Sequence, residues 1–137
     1  MKCLIGGKVI LKDRVAEGLN IFFDDKIRAI TTEMPDDTCE IIDCKGLYIS
    51  AGFIDIHMHG ACGYDFMDAS VDEIKTIANK LYEEGTTTFL ATTLTSDHES
   101  LKKVCETIKQ AKKVVPSLGG IHFEGPYINK KFKGAQN

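Results

Sequence analysis

The stretch "GFIDIHMHG", Gly52 to Gly60, sets His57 and His59 one residue apart after an apolar run. Alternate residues of a strand share a face, so Asp55, His57 and His59 project one way and Ile54, Ile56 and Met58 the other. Two imidazoles at i and i+2 can approach one divalent cation from the same side. A pair of solvent-facing histidines at a strand end fits the same letters, and the HxH spacing alone does not separate the two readings. A second cluster lies in "GGIHFEG", where alternation puts His122 and Glu124 on one face and Ile121 and Phe123 on the other. Glu124 is expected at the last position of that strand, before Gly125-Pro126. A carboxylate there is costly unless it is paired or metal-bound. A solvated loop glutamate, or a partner for a nearby lysine, is the alternative. The place after an apolar strand favours ligation. His122, one step deeper, reads as a hydrogen-bonded core histidine.

Other reactive types carry less. "TTTFLATTLTS" is rich in threonine, but threonine also favours strands and no base stands beside it in sequence. Thr86 to Thr95 therefore read as strand and loop, with any polar contact secondary. His98 falls near a helix start and is expected to be exposed. Lys130, Lys131 and Lys133 cluster as a phosphate site or a solvated loop would. The five cysteines include no CxxC pair. They read as reduced, small buried residues, with Cys62 set apart by its closeness to the histidines and still expected to be structural. No P-loop, GxGxxG or GxSxG motif is present.

The elements that would position the site follow from periodicity. Up to residue 51, "CLIGGKVIL", "GLNIFFDDKIRAI" and "CEIIDCKGLYISAG" predict short strands, with Asp24-Asp25 as a hairpin loop. Residues 52–137 change period. "FIDIH" predicts a strand. "SVDEIKTIANKLYEEG" predicts a helix with Val71, Ile74, Ile77, Ala78 and Leu81 on one face, a capping box of Ser70 and Glu73, and Gly85 as its stop. "TTTFLATTL" predicts a buried strand. A second helix is expected with a Ser96–Glu99 capping box, an apolar stripe of Leu101, Val104, Cys105 and Ile108, and Pro116 as its stop. "GGIHFEG" is the third strand. Strand starts near 53, 86 and 119 have the spacing of parallel βα units. In such sheets sites form at the strands' C-terminal ends, where both histidines and Glu124 fall.

With 137 residues the chain can bury a real core, and 43% apolar and 27% charged residues are ordinary for a globular protein. A net charge of −3 gives no general pull toward nucleic acid or an anionic membrane. No run is long enough for a membrane span, and the N-terminus lacks a secretory pattern, so a cytoplasmic location is expected.

Taken together, "GFIDIHMHG", "EGTTTFLATTLTS" and "GGIHFEGPYINKKFKGAQN" resemble the N-acetylglucosamine-6-phosphate deacetylase family of the amidohydrolase superfamily. HxH after a strand is common to many amidohydrolases, whereas "HFEGPYIN…KGAQN" is specific to this group. The resemblance implies an α/β fold. Residues 1–51 would be strands of a small β-sandwich domain, and residues 52–137 the first three strands and two helices of a (β/α)8 barrel, cut short. It implies metal-dependent hydrolysis of an amino-sugar phosphate's acetamide, with one or two divalent ions (zinc, iron, manganese or cobalt) and a homodimer when complete. Glu124 matches the family's ligand to the principal metal. His57 and His59 match a pair that supports a second metal in some members. Ala135 and Gln136 match a loop that contacts the substrate sugar, although many relatives have histidine at the position of Gln136. The acid–base aspartate and two further metal-ligating histidines are expected beyond Asn137, so the 137 residues alone are expected to be inactive. A dihydroorotase- or hydantoinase-like hydrolase would share HxH but not "HFEGP". An inactive fragment or a small metal-binding module is the reading outside enzymes.

Overall fold

Glycines and charged turns break the first fifty residues into short strands. In the computed structural model, which describes residues 1–136, these are β1 (Lys2–Ile5), β2 (Lys8–Ile10), β3 (Val15–Ala16), β4 (Asn20–Phe23), β5 (Ile27–Thr31), β6 (Glu40–Asp43) and β7 (Tyr48–Ile49). Asn137, the last letter of "KGAQN", lies outside the described residues. The strands form two sheets, β5-β4-β1-β6 and β3-β2-β7. β4 and β5 are the expected hairpin. In its turn the Asp24 carboxylate accepts from Lys26 N at 3.1 Å and from Arg28 Nε at 2.8 Å. The Arg28 guanidinium holds that carboxyl well below the usual carboxylate range. The chain divides into two compact units, Met1–Ala51 and a second from Gly52 onward.

The second unit alternates strands and helices: β8 (Phe53–Met58), a two-strand hairpin of β9 (Gly60–Ala61) and β10 (Tyr64–Asp65), α1 (Val71–Glu83), β11 (Thr86–Thr92), α2 (His98–Ala111) and β12 (Leu118–His122). β8, β11 and β12 form one parallel sheet with β11 in the middle. The two helices close its core through the residues that the 3.6-residue period puts on one face. Ile74, Ile77, Ala78 and Leu81 of α1 and Leu101, Val104, Ile108 and Ala111 of α2 are buried. The core cluster unites most of them with Phe66, Phe89, Ala91, Val115 and Leu118.

The Ser70–Glu73 capping box forms in both directions: Ser70 Oγ accepts from Glu73 N, and Glu73 Oε2 accepts from Ser70 N at 2.7 Å. Gly85 follows the C-cap with a φ of +85°, as expected for the stop. At α2 the expected Ser96–Glu99 box is replaced. Asp97 is the N-cap and its carboxylate accepts from Ser100 N at 2.9 Å. The helix starts one residue later than the motif suggests, because Asp97 caps as well as serine does and sits nearer the apolar stripe.

Both capping carboxylates are held below their ordinary pKa. For Glu73 the cause is hydrogen bonds from the Ser70 backbone and hydroxyl, and for Asp97 those from the Ser100 hydroxyl and backbone. A folded pKa below the unfolded value contributes stability above the unfolded value, near pH 4, and that contribution is lost as pH falls through the folded one. Far-UV circular dichroism in mild urea should therefore show helix content falling as acid is added below about pH 4. Glu73→Gln with Asp97→Asn keeps cap acceptors without their titration and should flatten the profile. Profiles that superimpose would exclude this contribution.

Candidate metal centre

β8 carries His57, and its C-terminal extension carries His59. Parallel pairing with β11 brings the end of β8 beside the end of β11, and β12 delivers Glu124 on the other side. Glu124 lies two residues past the end of β12 rather than at the strand's last position, because pairing to β11 stops with Thr92 opposite His122. The shift leaves Glu124 at the same end of the sheet. His57 Nε2 and His59 Nε2 are 3.3 Å apart. Glu124 Oε2 is 3.5 Å from the first and 3.1 Å from the second.

These three atoms meet around one point. Hydrogen bonds from two Nε2–H groups to the carboxylate leave the nitrogen–nitrogen edge unpaired, whereas one cation satisfies all three edges. The ligands of a tetrahedral ion with metal–nitrogen and metal–oxygen bonds near 2.0–2.1 Å are about 3.3 Å apart, and the three separations bracket that value. The donor set, two imidazoles and a carboxylate, therefore fits a divalent ion.

Local structure fixes the backbone at both histidines. Asp55 Oδ1 accepts from His57 N at 3.0 Å, and the His59 carbonyl accepts from Phe66 N at 2.8 Å. Phe66 is buried and stacks on Phe89 of β11, with centroids 5.9 Å apart. The β9–β10 hairpin thus ties the histidine pair to the core. The sequence reading misses this hairpin. Its turn is Cys62-Gly63, both at positive φ, which is the mark of a tight two-residue loop. Cys62 is exposed, Cys3 and Cys44 are buried, and Cys39 and Cys105 are half-buried, so the buried reading, made for all but Cys62, holds for two of those four.

His122 is not the hydrogen-bonded core residue expected. It is half-buried, packs edge-to-face on His57 with centroids 4.8 Å apart, and its buried Nδ1 has no partner among the described residues. The threonines matter more than their β-propensity suggests. Thr92 Oγ1 accepts from Met58 N at 3.0 Å, between the two histidines. The register of β8 on β11 shifts nearby, so a hydroxyl takes the place of a ladder carbonyl. Thr95 N donates to Gln136 Oε1 at 2.8 Å. The Gln136 side chain is thereby engaged within the chain, while Ala135 is exposed. Lys130, Lys131 and Lys133 are exposed on and beside a short 3-10 turn, and His98 is exposed at the start of α2.

No family model matches the chain. Among curated proteins it is 39% identical over 121 residues to N-acetylglucosamine-6-phosphate deacetylase of Bacillus subtilis, covering 82% of this chain and 31% of the relative. It is 31% identical over 139 residues to the human deacetylase, covering 98% of this chain and 33% of the relative. The chain thus spans about a third of the length of these relatives. Among solved structures, the deacetylase of Pasteurella multocida superposes with a TM-score of 0.90 at 29% identity, over 99% of this chain and 37% of the other. A D-hydantoinase superposes at 0.65 and 28% identity, over 94% of this chain and 28% of the other. Fold and comparisons together define the class: the chain matches the N-terminal part of amidohydrolase-superfamily hydrolases. Within that class the match is to the N-terminal portion of N-acetylglucosamine-6-phosphate deacetylase.

Proposed function

We propose that residues 52–136 open a (β/α)8 barrel, that residues 1–51 supply strands of a small β-sandwich domain, and that the whole serves metal-dependent deacetylation of N-acetylglucosamine 6-phosphate. The observation that carries this reading is the meeting of His57 Nε2, His59 Nε2 and Glu124 Oε2 within 3.1–3.5 Å of one another. His57, His59 and Glu124 would hold the ion, and their nitrogen and oxygen donors suit zinc, iron, manganese or cobalt. A divalent ion supplies a water ionised near neutral pH and polarisation of an amide carbonyl.

The chain's own residues set the rest. Asp55 fixes the backbone at His57, and Phe66 fixes it at His59. Ala135 and Gln136 would lie along the sugar, with the exposed Ala135 backbone as the contacting element and the Gln136 side chain shaping the loop. The acid that protonates the departing amine would be the later aspartate that the family resemblance implies, while Asp55 Oδ1 accepts from His57 N. The higher structural similarity to the deacetylase, together with "HFEGP", favours this substrate over a cyclic amide. A homodimer is what the family resemblance implies for the complete protein, and a cytoplasmic location rests on the lack of a secretory pattern at the N-terminus.

A chimaera tests the reading. Residues 1–136 would replace the matching segment of the Bacillus subtilis deacetylase. The folded chimaera should release acetate from N-acetylglucosamine 6-phosphate, lose that activity to a chelator and regain it with added divalent metal. A folded, metal-replete chimaera that hydrolyses dihydropyrimidine-type cyclic amides and leaves the sugar phosphate intact would favour the hydantoinase-like alternative.

A further inference from the structure

β11 carries none of the three converging ligands, yet its end touches the segments that bear them. Thr92 holds Met58 N between the two histidines, as described above. Three residues on, Thr95 Oγ1 donates to the Glu124 carbonyl at 3.4 Å while Thr95 N donates to Gln136 Oε1. The approach is close: a Cβ added to Gly125 would stand 2.1 Å from Thr95 Oγ1. Thr95 is itself anchored, because the preceding Leu94 N donates to Met67 Sδ at 3.2 Å, and Met67 packs on the core.

We infer that Thr95 is a positioning residue that sets Glu124 against the histidine pair and couples it to the Gln136 segment. This rests on the metal-centre reading above. The physical content is a series connection. Gln136 orients the Thr95 backbone, the Thr95 hydroxyl orients the Glu124 carbonyl, and the Glu124 carboxylate follows its backbone. Losing either link should loosen the same ligand. Outer-shell contacts of this kind commonly change metal affinity by about 10- to 100-fold.

Titration of the metal-free chimaera with Co2+, followed by visible absorbance, reads the effect without turnover. Thr95→Val should weaken Co2+ binding about tenfold. Thr95→Ser, which restores the hydroxyl, should stay within about threefold of the parent. Gln136→Leu should weaken binding about threefold in the parent and add little in the Thr95→Val background, since links in series are not additive. Gln136→Leu alone carries the test even if Thr95→Val does not fold. Unchanged affinity in the folded variants, or a Gln136→Leu loss that persists undiminished beside Thr95→Val, overturns the inference while leaving the metal centre standing. A folded parent chimaera that binds no Co2+ overturns both.

Discussion

Glu124→Gln should remove divalent-ion binding from the His57–His59–Glu124 cluster. The substitution keeps the size of the side chain but replaces an anionic oxygen with a neutral amide. It leaves two imidazole nitrogens 3.3 Å apart with no carboxylate to complete the triangle. The expected loss in Co2+ affinity exceeds about 100-fold, more than an outer-shell change commonly costs. His57→Gln with His59→Asn should remove the same ion, because all three donor atoms surround one point. The resemblance to the deacetylases implies a different split, with Glu124 on a principal ion and the histidines on a second. Elemental analysis of the purified chain separates the two. One shared ion gives about one metal in the parent and none in either variant. One equivalent retained in the double-histidine variant would show that Glu124 holds an ion without the pair. In the chimaera, Glu124→Gln should abolish acetate release.

Gly60→Ala should be among the most damaging single-methyl additions to this chain. Gly60 follows His59 directly and starts the β9–β10 hairpin, paired to Asp65. Its φ of +155° lies in a region that residues with a side chain rarely adopt, and an added Cβ would fall 2.0 Å from the Tyr64 carbonyl oxygen. The obstacle is backbone, so no side-chain rotation relieves it. The hairpin must open or shift, and the bond from Phe66 N to the His59 carbonyl goes with it. Strain of about 1–3 kcal/mol from the backbone conformation alone, with the clash added, gives an expected loss on the order of 3 kcal/mol or more. Urea unfolding measures it, and Co2+ titration of the folded fraction should show weaker binding as well. A midpoint equal to that of the parent would mean that the hairpin does not hold His59 in place. Gly63→Ala is the control: nothing lies within 4 Å of its Cβ, so only its positive φ of +82° opposes the change.

The local order of elements was legible because each rests on short-range patterns. Ser70 with Glu73 announces the first turn of α1, Gly85 its end, and the apolar stripes of both helices, Val71 and Cys105 excepted, become the buried faces. The misses share a cause. Ser96 and Asp97 are adjacent capping residues of similar strength, and which one caps depends on how α2 settles on the sheet. The β9–β10 hairpin has strands of two residues each, too short for periodicity to register, and it is held by the burial of Phe66 against Phe89. His122 looks like a core residue from its neighbours in sequence. The ring of His57, 65 positions earlier, decides its surroundings.

The site divides in the same way. The sequence by itself determined the residue types, the i, i+2 pairing of His57 and His59 on one strand face, and the nearness of Glu124 to the C-terminal end of a third strand, because strand alternation is a property of the local backbone. Whether these formed one centre was a matter of parallel register. Only the pairing of β8 and β12 with the middle strand brings Nε2, Nε2 and Oε2 within 3.1–3.5 Å of one another. The parts played by Thr92, Thr95 and Gln136 were likewise settled by tertiary structure. A threonine in or just past a strand reads as β-propensity until another segment brings a hydrogen-bonding group to it, and that partner lies 29 to 41 residues away along the chain.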